Sequence, residues 1–131
     1  MIFNPKRSLG QNFLVDDKIL NKIIDIANID FENVVIEVGP GKGALTDKIF
    51  EKKPRKLTVI EKDERLYKFL NKKFGSKIDI INNDMMKISY EEFLQENLII
   101  FGNLPYNIST QILTKWIKIN SIEKFCKKLI L

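Results

Sequence analysis

The 131-residue chain contains no histidine and one cysteine, Cys126. Without histidine, the commonest general base and the commonest metal ligand are missing, which excludes a histidine-based hydrolase and a His-ligated metal site. A single cysteine excludes an internal disulfide and fits a cytoplasmic protein. No stretch approaches the roughly 18 consecutive apolar residues of a membrane-spanning helix, so no membrane association is expected. Met1 to Arg7 lack the apolar run and small-residue cleavage site of a signal peptide. Arginine is scarce too: 19 of the 22 basic residues are lysines, and 17 acidic residues leave a formal net charge of +5. That balance permits nucleic-acid binding without demonstrating it. Lys115, Lys118, Lys124, Lys127 and Lys128 face only Glu123 near the end of the chain and read first as a solvated surface. With 44% hydrophobic residues, what is present suffices for the core of one domain.

The apolar residues alternate between two periods. Residues 1–14 are irregular, although Leu9, Phe13 and Leu14 are too apolar for a free tail. Asp16 or Asp17 can cap a helix running to about Asn28, with Ile19, Leu20, Ile23, Ile24 and Ala27 on one face. Val34 to Val38 is a β-branched run that ends at glycines and reads as a buried strand. A helix after Gly43 would turn Leu45, Ile49 and Phe50 inward. Leu57 to Ile60 is a second strand ending at Glu61, and a helix carrying Leu66, Phe69 and Leu70 follows. Ile78 to Ile81 and Leu98 to Phe101 are further strands, with a helix from about Ser109 to Ile119. Lys128 to Leu131 opens a fifth strand. This order predicts an α/β fold, a parallel sheet with helices on both faces. Trp116 and Cys126 read as packing residues and Lys42 as a solvent-facing one.

The distinctive polar residues and glycines fall at the carboxyl ends of these strands: Glu37 and Gly39, Glu61, Asp84, Asn103. That edge of an open parallel sheet is where ligands bind. In Glu37-Val38-Gly39-Pro40-Gly41-Lys42-Gly43 the glycines allow a sharp turn and close backbone approach to a ligand. Gly39 to Ala44 satisfies the dinucleotide fingerprint G-x-G-x-x-A, with Glu61 at about the distance of a ribose contact, so a NAD-dependent oxidoreductase is one reading. Glu37 stands against it, because an anion there would repel a pyrophosphate but could attract the amino group of a methionine moiety. Glu61 could accept from both ribose hydroxyls, or simply favour a helix N-terminus. Asp84 could accept from an adenine amine, or make an ordinary Asx turn.

Gly102-Asn103-Leu104-Pro105-Tyr106-Asn107-Ile108-Ser109 is the most specific segment. The lone pair of an adenine N6 is delocalised into the ring, which makes it a poor nucleophile. The Asn103 side-chain carbonyl and the Leu104 backbone carbonyl, set against its N–H groups, would favour a pyramidal nitrogen able to attack a sulfonium methyl. Pro105 has a fixed φ and would stiffen the loop. Tyr106 offers a ring for an extruded base, a contact worth roughly 1–3 kcal/mol. A sulfonium is already activated, so such a transfer needs positioning and charge placement, without metal or covalent intermediate.

The E-x-G-x-G-x-G loop resembles motif I of class I methyltransferases, and Phe101 to Ser109 together with Lys6-Arg7-Ser8-Leu9-Gly10-Gln11-Asn12-Phe13-Leu14 resembles the rRNA adenine N6-dimethyltransferase family. Leu104 favours this RNA branch over DNA adenine-N6 enzymes, which usually carry a second proline there. Ser8-Leu9-Gly10-Gln11 favours the small-subunit branch over the antibiotic-resistance enzymes acting on the large subunit. The resemblance implies a class I methyltransferase, Rossmann-like sheet that binds S-adenosyl-L-methionine through Asn12, Leu14, Gly39, Gly41, Glu61, Asp84 and Asn103. Asn103, Leu104, Pro105 and Tyr106 would serve the target base. It further implies dimethylation of two adjacent adenosines in a small-subunit rRNA hairpin, a pre-ribosomal small subunit as partner, and a monomer when full length. Members of the family continue into further strands and a helical carboxyl-terminal domain. Residues 1–131 are therefore expected to be a partial catalytic domain with an exposed apolar sheet edge, inactive or weak alone. A non-catalytic rRNA-binding assembly factor remains the third reading beside the methyltransferase and the oxidoreductase.

Overall fold

The computed structural model describes residues 16–104, 106–118 and 124–131. Asp16 caps the first helix, α1 (Asp17–Ala27), by accepting from the Lys18 and Ile19 N–H groups, and Asn28 closes it in the left-handed region. The chain then alternates as β1 (Val34–Val38), α2 (Ala44–Glu51), β2 (Lys56–Glu61), α3 (Glu64–Phe74), β3 (Asp79–Asn82), β4 (Leu98–Gly102), α4 (Tyr106–Ile117) and β5 (Cys126–Ile130). Short 3-10 turns at Met85–Lys87 and Tyr90–Phe93 bridge β3 to β4.

The five strands are parallel, in the order β3-β2-β1-β4-β5. Alternate residues of each strand face opposite sides, and both sides are covered. Val35, Leu57, Val59, Ile99 and Phe101 pack under α1, α2 and α3. Val34, Ile36, Val38, Leu98 and Ile100 pack against Met85, Ile88, Ile112 and Trp116. This two-sided burial explains why β1 and β4 are continuous apolar runs rather than alternating ones. The strand order reverses between β1 and β4, which opens a crevice at their carboxyl ends.

Several expectations shift. Helix α4 begins at Tyr106 rather than near Ser109, because its inward stripe of half-buried Ile108 and buried Ile112 and Trp116 already starts at Ile108. In α2 the third inward residue is Thr46, while Phe50 is 39% exposed; in α1, Ile19 is 47% exposed. Strand β3 starts one residue late, at Asp79. Lys128 is not part of a solvated lysine surface: its Nζ donates to the Ala27 carbonyl at 2.7 Å and the Ile26 carbonyl at 3.3 Å, which caps the carboxyl end of α1. A bulge in β5 makes Lys127 the extra residue and brings Lys128 opposite Ile99. β5 is an edge strand whose Cys126, Leu129 and Ile130 are half-buried.

Candidate active site

The crevice is a cavity of about 360 Å³, within the range of small-ligand pockets. It gathers Gly39 and Gly41 after β1, Glu61 at the end of β2, Asp84 after β3, and Asn103 and Leu104 after β4. Val38, Ile60, Leu66, Met85 and Ile112 supply apolar walls. Asn12, Leu14, Pro105 and the side chain of Tyr106 lie outside the described residues. Tyr106 opens α4, whose Ile108, Gln111 and Ile112 line the cavity.

The glycine loop is held to β2, with the Gly39 N–H donating to the Ile60 carbonyl at 2.9 Å. Gly39 has φ +70°, and a Cβ there would lie 2.8 Å from Cδ2 of Leu104. The space left by the missing side chain is thus filled by the leucine of the neighbouring loop. Gly41 has φ +59°, and its N–H donates to Oε2 of Glu61 at 3.3 Å.

Glu61 is buried, and its Oε1 accepts from the Asp63 N–H at 2.8 Å. Burial pushes its carboxyl above the ordinary range, offset in part by the Asp63 and Gly41 N–H groups. A ligand that donates hydroxyls to it would restore hydrogen bonds that burial removes. Asp63 is matched by Arg65, whose Nη2 lies 2.7 Å from Oδ2. Asp84 makes the Asx-type turn weighed from sequence, accepting from the Met86 N–H at 2.9 Å, and also pairs with Lys62 Nζ at 3.1 Å. Burial works against its ionisation, but the Met86 N–H and Lys62 outweigh it and hold the carboxyl below its ordinary range. Asp84 is therefore a fixed acceptor at neutral pH.

Glu37 does not join them. It sits on the face of β1 that packs under α2, 2% exposed, and accepts from the Thr46 hydroxyl at 2.6 Å. Burial raises its pKa to about 7, the Thr46 bond opposing and the Glu61 charge adding to the rise. It is buried beside α2 and is not among the residues that line the cavity.

Three contributors were not singled out from the sequence. Lys62 bridges the ends of β2 and β3 to reach Asp84. The Ser109 hydroxyl, one turn into α4, donates to the Leu104 carbonyl at 3.4 Å. Lys115 Nζ donates to the Met86 carbonyl at 3.0 Å, tying α4 to the turn beside Asp84. Only Ser109 had a sequence signal, its place within one helical turn of the Asn-Leu-Pro-Tyr loop. Among the described residues no group of three acidic or cysteine side chains converges as a metal site, and no helix is long and apolar enough to cross a membrane.

A ribosomal RNA small subunit methyltransferase A from Pelagibacter ubique is 51% identical to this chain over 117 residues, 89% of this chain and 44% of that protein. Two solved structures share the fold. The 23S rRNA methyltransferase ErmE aligns with a TM-score of 0.70 at 29% identity, covering 84% of this chain and 44% of the other. A dimethyladenosine transferase from Plasmodium falciparum aligns with a TM-score of 0.72 at 27% identity, covering 84% and 40%. The chain thus spans less than half the length of these relatives. The family model for ribosomal RNA adenine dimethylases matches residues 2–131, which include both the glycine loop and the Asn-Leu-Pro-Tyr segment, and the chain belongs to that family.

Proposed function

We propose that residues 1–131 form part of the catalytic domain of an enzyme that dimethylates N6 of adjacent adenosines in small-subunit rRNA, using S-adenosyl-L-methionine. Its partner is the pre-ribosomal small subunit in the cytoplasm. The observation that carries this reading is one cavity bringing Gly39, Glu61 and Asp84 together with Asn103 and Leu104.

The residues present fit the methyl donor. The cavity has apolar walls for a purine, a buried carboxylate at Glu61 whose two oxygens each keep a further lone pair for a hydroxyl donor, and a fixed acceptor at Asp84 suited to an exocyclic amine. S-adenosyl-L-methionine supplies a methyl group on an already activated sulfonium. Gly39 and Gly41 let the backbone approach the ligand, Glu61 takes its ribose, and Asp84 takes its adenine amine. Asn12 and Leu14 are assigned to the same ligand on the family resemblance of their segment. The Asn103 side-chain carbonyl and the Leu104 carbonyl accept the N–H groups of the target amine and aim its lone pair, Pro105 stiffens the loop, and the Tyr106 ring stacks on the base.

The test, on the full-length enzyme to which residues 1–131 belong, is titration with S-adenosyl-L-methionine and with NAD, then labelled methyl transfer to unmethylated small and large subunits. Binding of S-adenosyl-L-methionine and transfer to small subunits is expected. Preferential NAD binding would overturn the proposal, and transfer to large subunits alone would replace its substrate.

A further inference from the structure

Asn82 closes β3 directly opposite Glu61, on the last rung of the parallel β2–β3 pairing. Its side-chain Nδ2 donates to the Glu61 carbonyl at 2.9 Å and to the Lys62 carbonyl at 3.4 Å. A carboxamide nitrogen carries two N–H groups, so one side chain can hold two successive carbonyls. Beyond this rung the chain leaves the sheet, and Asp63 becomes the N-cap of α3.

The same short stretch folds the Glu61 side chain back over its own backbone, where Oε1 meets the Asp63 N–H at 2.8 Å. The Gly41 N–H holds the other oxygen at 3.3 Å. The direction of the carboxylate is therefore set by the path of residues 61–63, and Asn82 fixes that path from the neighbouring strand. Asn82 itself is exposed and does not line the cavity.

We propose that Asn82 is a positioning residue for nucleoside recognition: its amide pins the Glu61–Lys62 backbone and so aims the Glu61 carboxylate at the ribose hydroxyls of the ligand. This rests on the reading of Glu61 as the ribose acceptor. Only a side chain with donors at that reach can serve. Serine is too short to span to both carbonyls, and aspartate would place an anion against them.

The experiment is isothermal titration of the wild type, Asn82→Ala and Asn82→Asp with S-adenosylhomocysteine and with its 2′-deoxy and 3′-deoxy counterparts. Hydrogen bonds to a charged acceptor predict about 10-fold or greater discrimination against the deoxy ligands in the wild type. In both variants S-adenosylhomocysteine should weaken about 10-fold while the deoxy ligands change little, so the discrimination collapses. A purely structural role would weaken all three ligands alike, and that parallel loss overturns the proposal, as does retained discrimination. If the wild type binds S-adenosylhomocysteine without preferring the hydroxyls, the ribose reading of Glu61 fails first and takes this inference with it. Because Asn82 is on the surface, the variants are expected to fold, and a melting curve for each checks this.

Discussion

Gly39→Ala isolates the contact between the glycine loop and the Asn-Leu-Pro-Tyr loop. The substitution has two separable effects. At φ +70° an alanine is in the left-handed region, which costs roughly 1–2 kcal/mol. The new Cβ would also lie 2.8 Å from Leu104 Cδ2, so Leu104 must shift, an overpacking strain of about 1–3 kcal/mol. Together these predict a loss of about 2–5 kcal/mol, or a fall in melting temperature on the order of 10 °C for a domain of this size. Since Leu104 lines the cavity, affinity for S-adenosylhomocysteine should fall as well, by about 10-fold or more, because sites tolerate little displacement. Gly75→Ala is the control. Gly75 also has positive φ, at +59°, but an added Cβ meets nothing within 4 Å and the residue lies at the end of α3, away from the cavity. It should lose stability through backbone strain and keep its ligand affinity. Equal affinity losses in the two variants, or an unchanged melting temperature and affinity in Gly39→Ala, would refute the reasoning.

Glu37 predicts a pH dependence. With a folded pKa of about 7 against an ordinary 4.5, the folded state holds the proton more tightly. Its contribution to stability is therefore fully present below about pH 4.5 and lost as pH rises through about 7. The loss is on the order of 3 kcal/mol. Glu37→Gln keeps a partner for Thr46 and should flatten that decline; denaturant titrations at several pH values with parallel curves for both proteins would remove the assignment. Ser109→Ala should lower kcat for methyl transfer about 10-fold by freeing the Leu104 carbonyl, with KM little changed and partial recovery in Ser109→Thr. A change confined to KM, or none, would deny Ser109 that role. Asn103→Ala should abolish turnover while filter binding shows RNA affinity largely kept; undiminished turnover would remove Asn103 from the mechanism.

The strand order of chemistry was legible before the structure because each strand is a short β-branched run ended by a residue unlike it. Val34 to Val38 stops at Gly39, and Leu98 to Phe101 stops at Gly102 and Asn103. Placing such ends on one edge needs only parallel strands, so the convergence of Gly39, Glu61, Asp84 and Asn103 followed. Side-chain partners across that edge did not. Lys62 with Asp84 and Asn82 with Glu61 are joined by strand register, which apolar periodicity does not encode. The partner of Glu37 was hidden for a related reason. The place of Glu37 before the glycines is visible, but the face of β1 it occupies is fixed by the helix packed there, which brings Thr46 to it. Lys128 looked like surface charge because capping a helix 101 residues away is invisible locally.

The fit of Leu104 against Gly39 bears on how such a loop can be moved between proteins. The side chain at 104 occupies a volume that exists only because position 39 has none. A graft of the Asn-Leu-Pro-Tyr segment onto another sheet would therefore import the bulk without the hollow, and the acceptor carbonyls would be displaced with it. The transplantable unit is the segment together with the glycine from the first strand's turn and the hydroxyl from the following helix, three pieces of chain scattered over 71 positions from Gly39 to Ser109. Selection acting on any one of them is constrained by the other two.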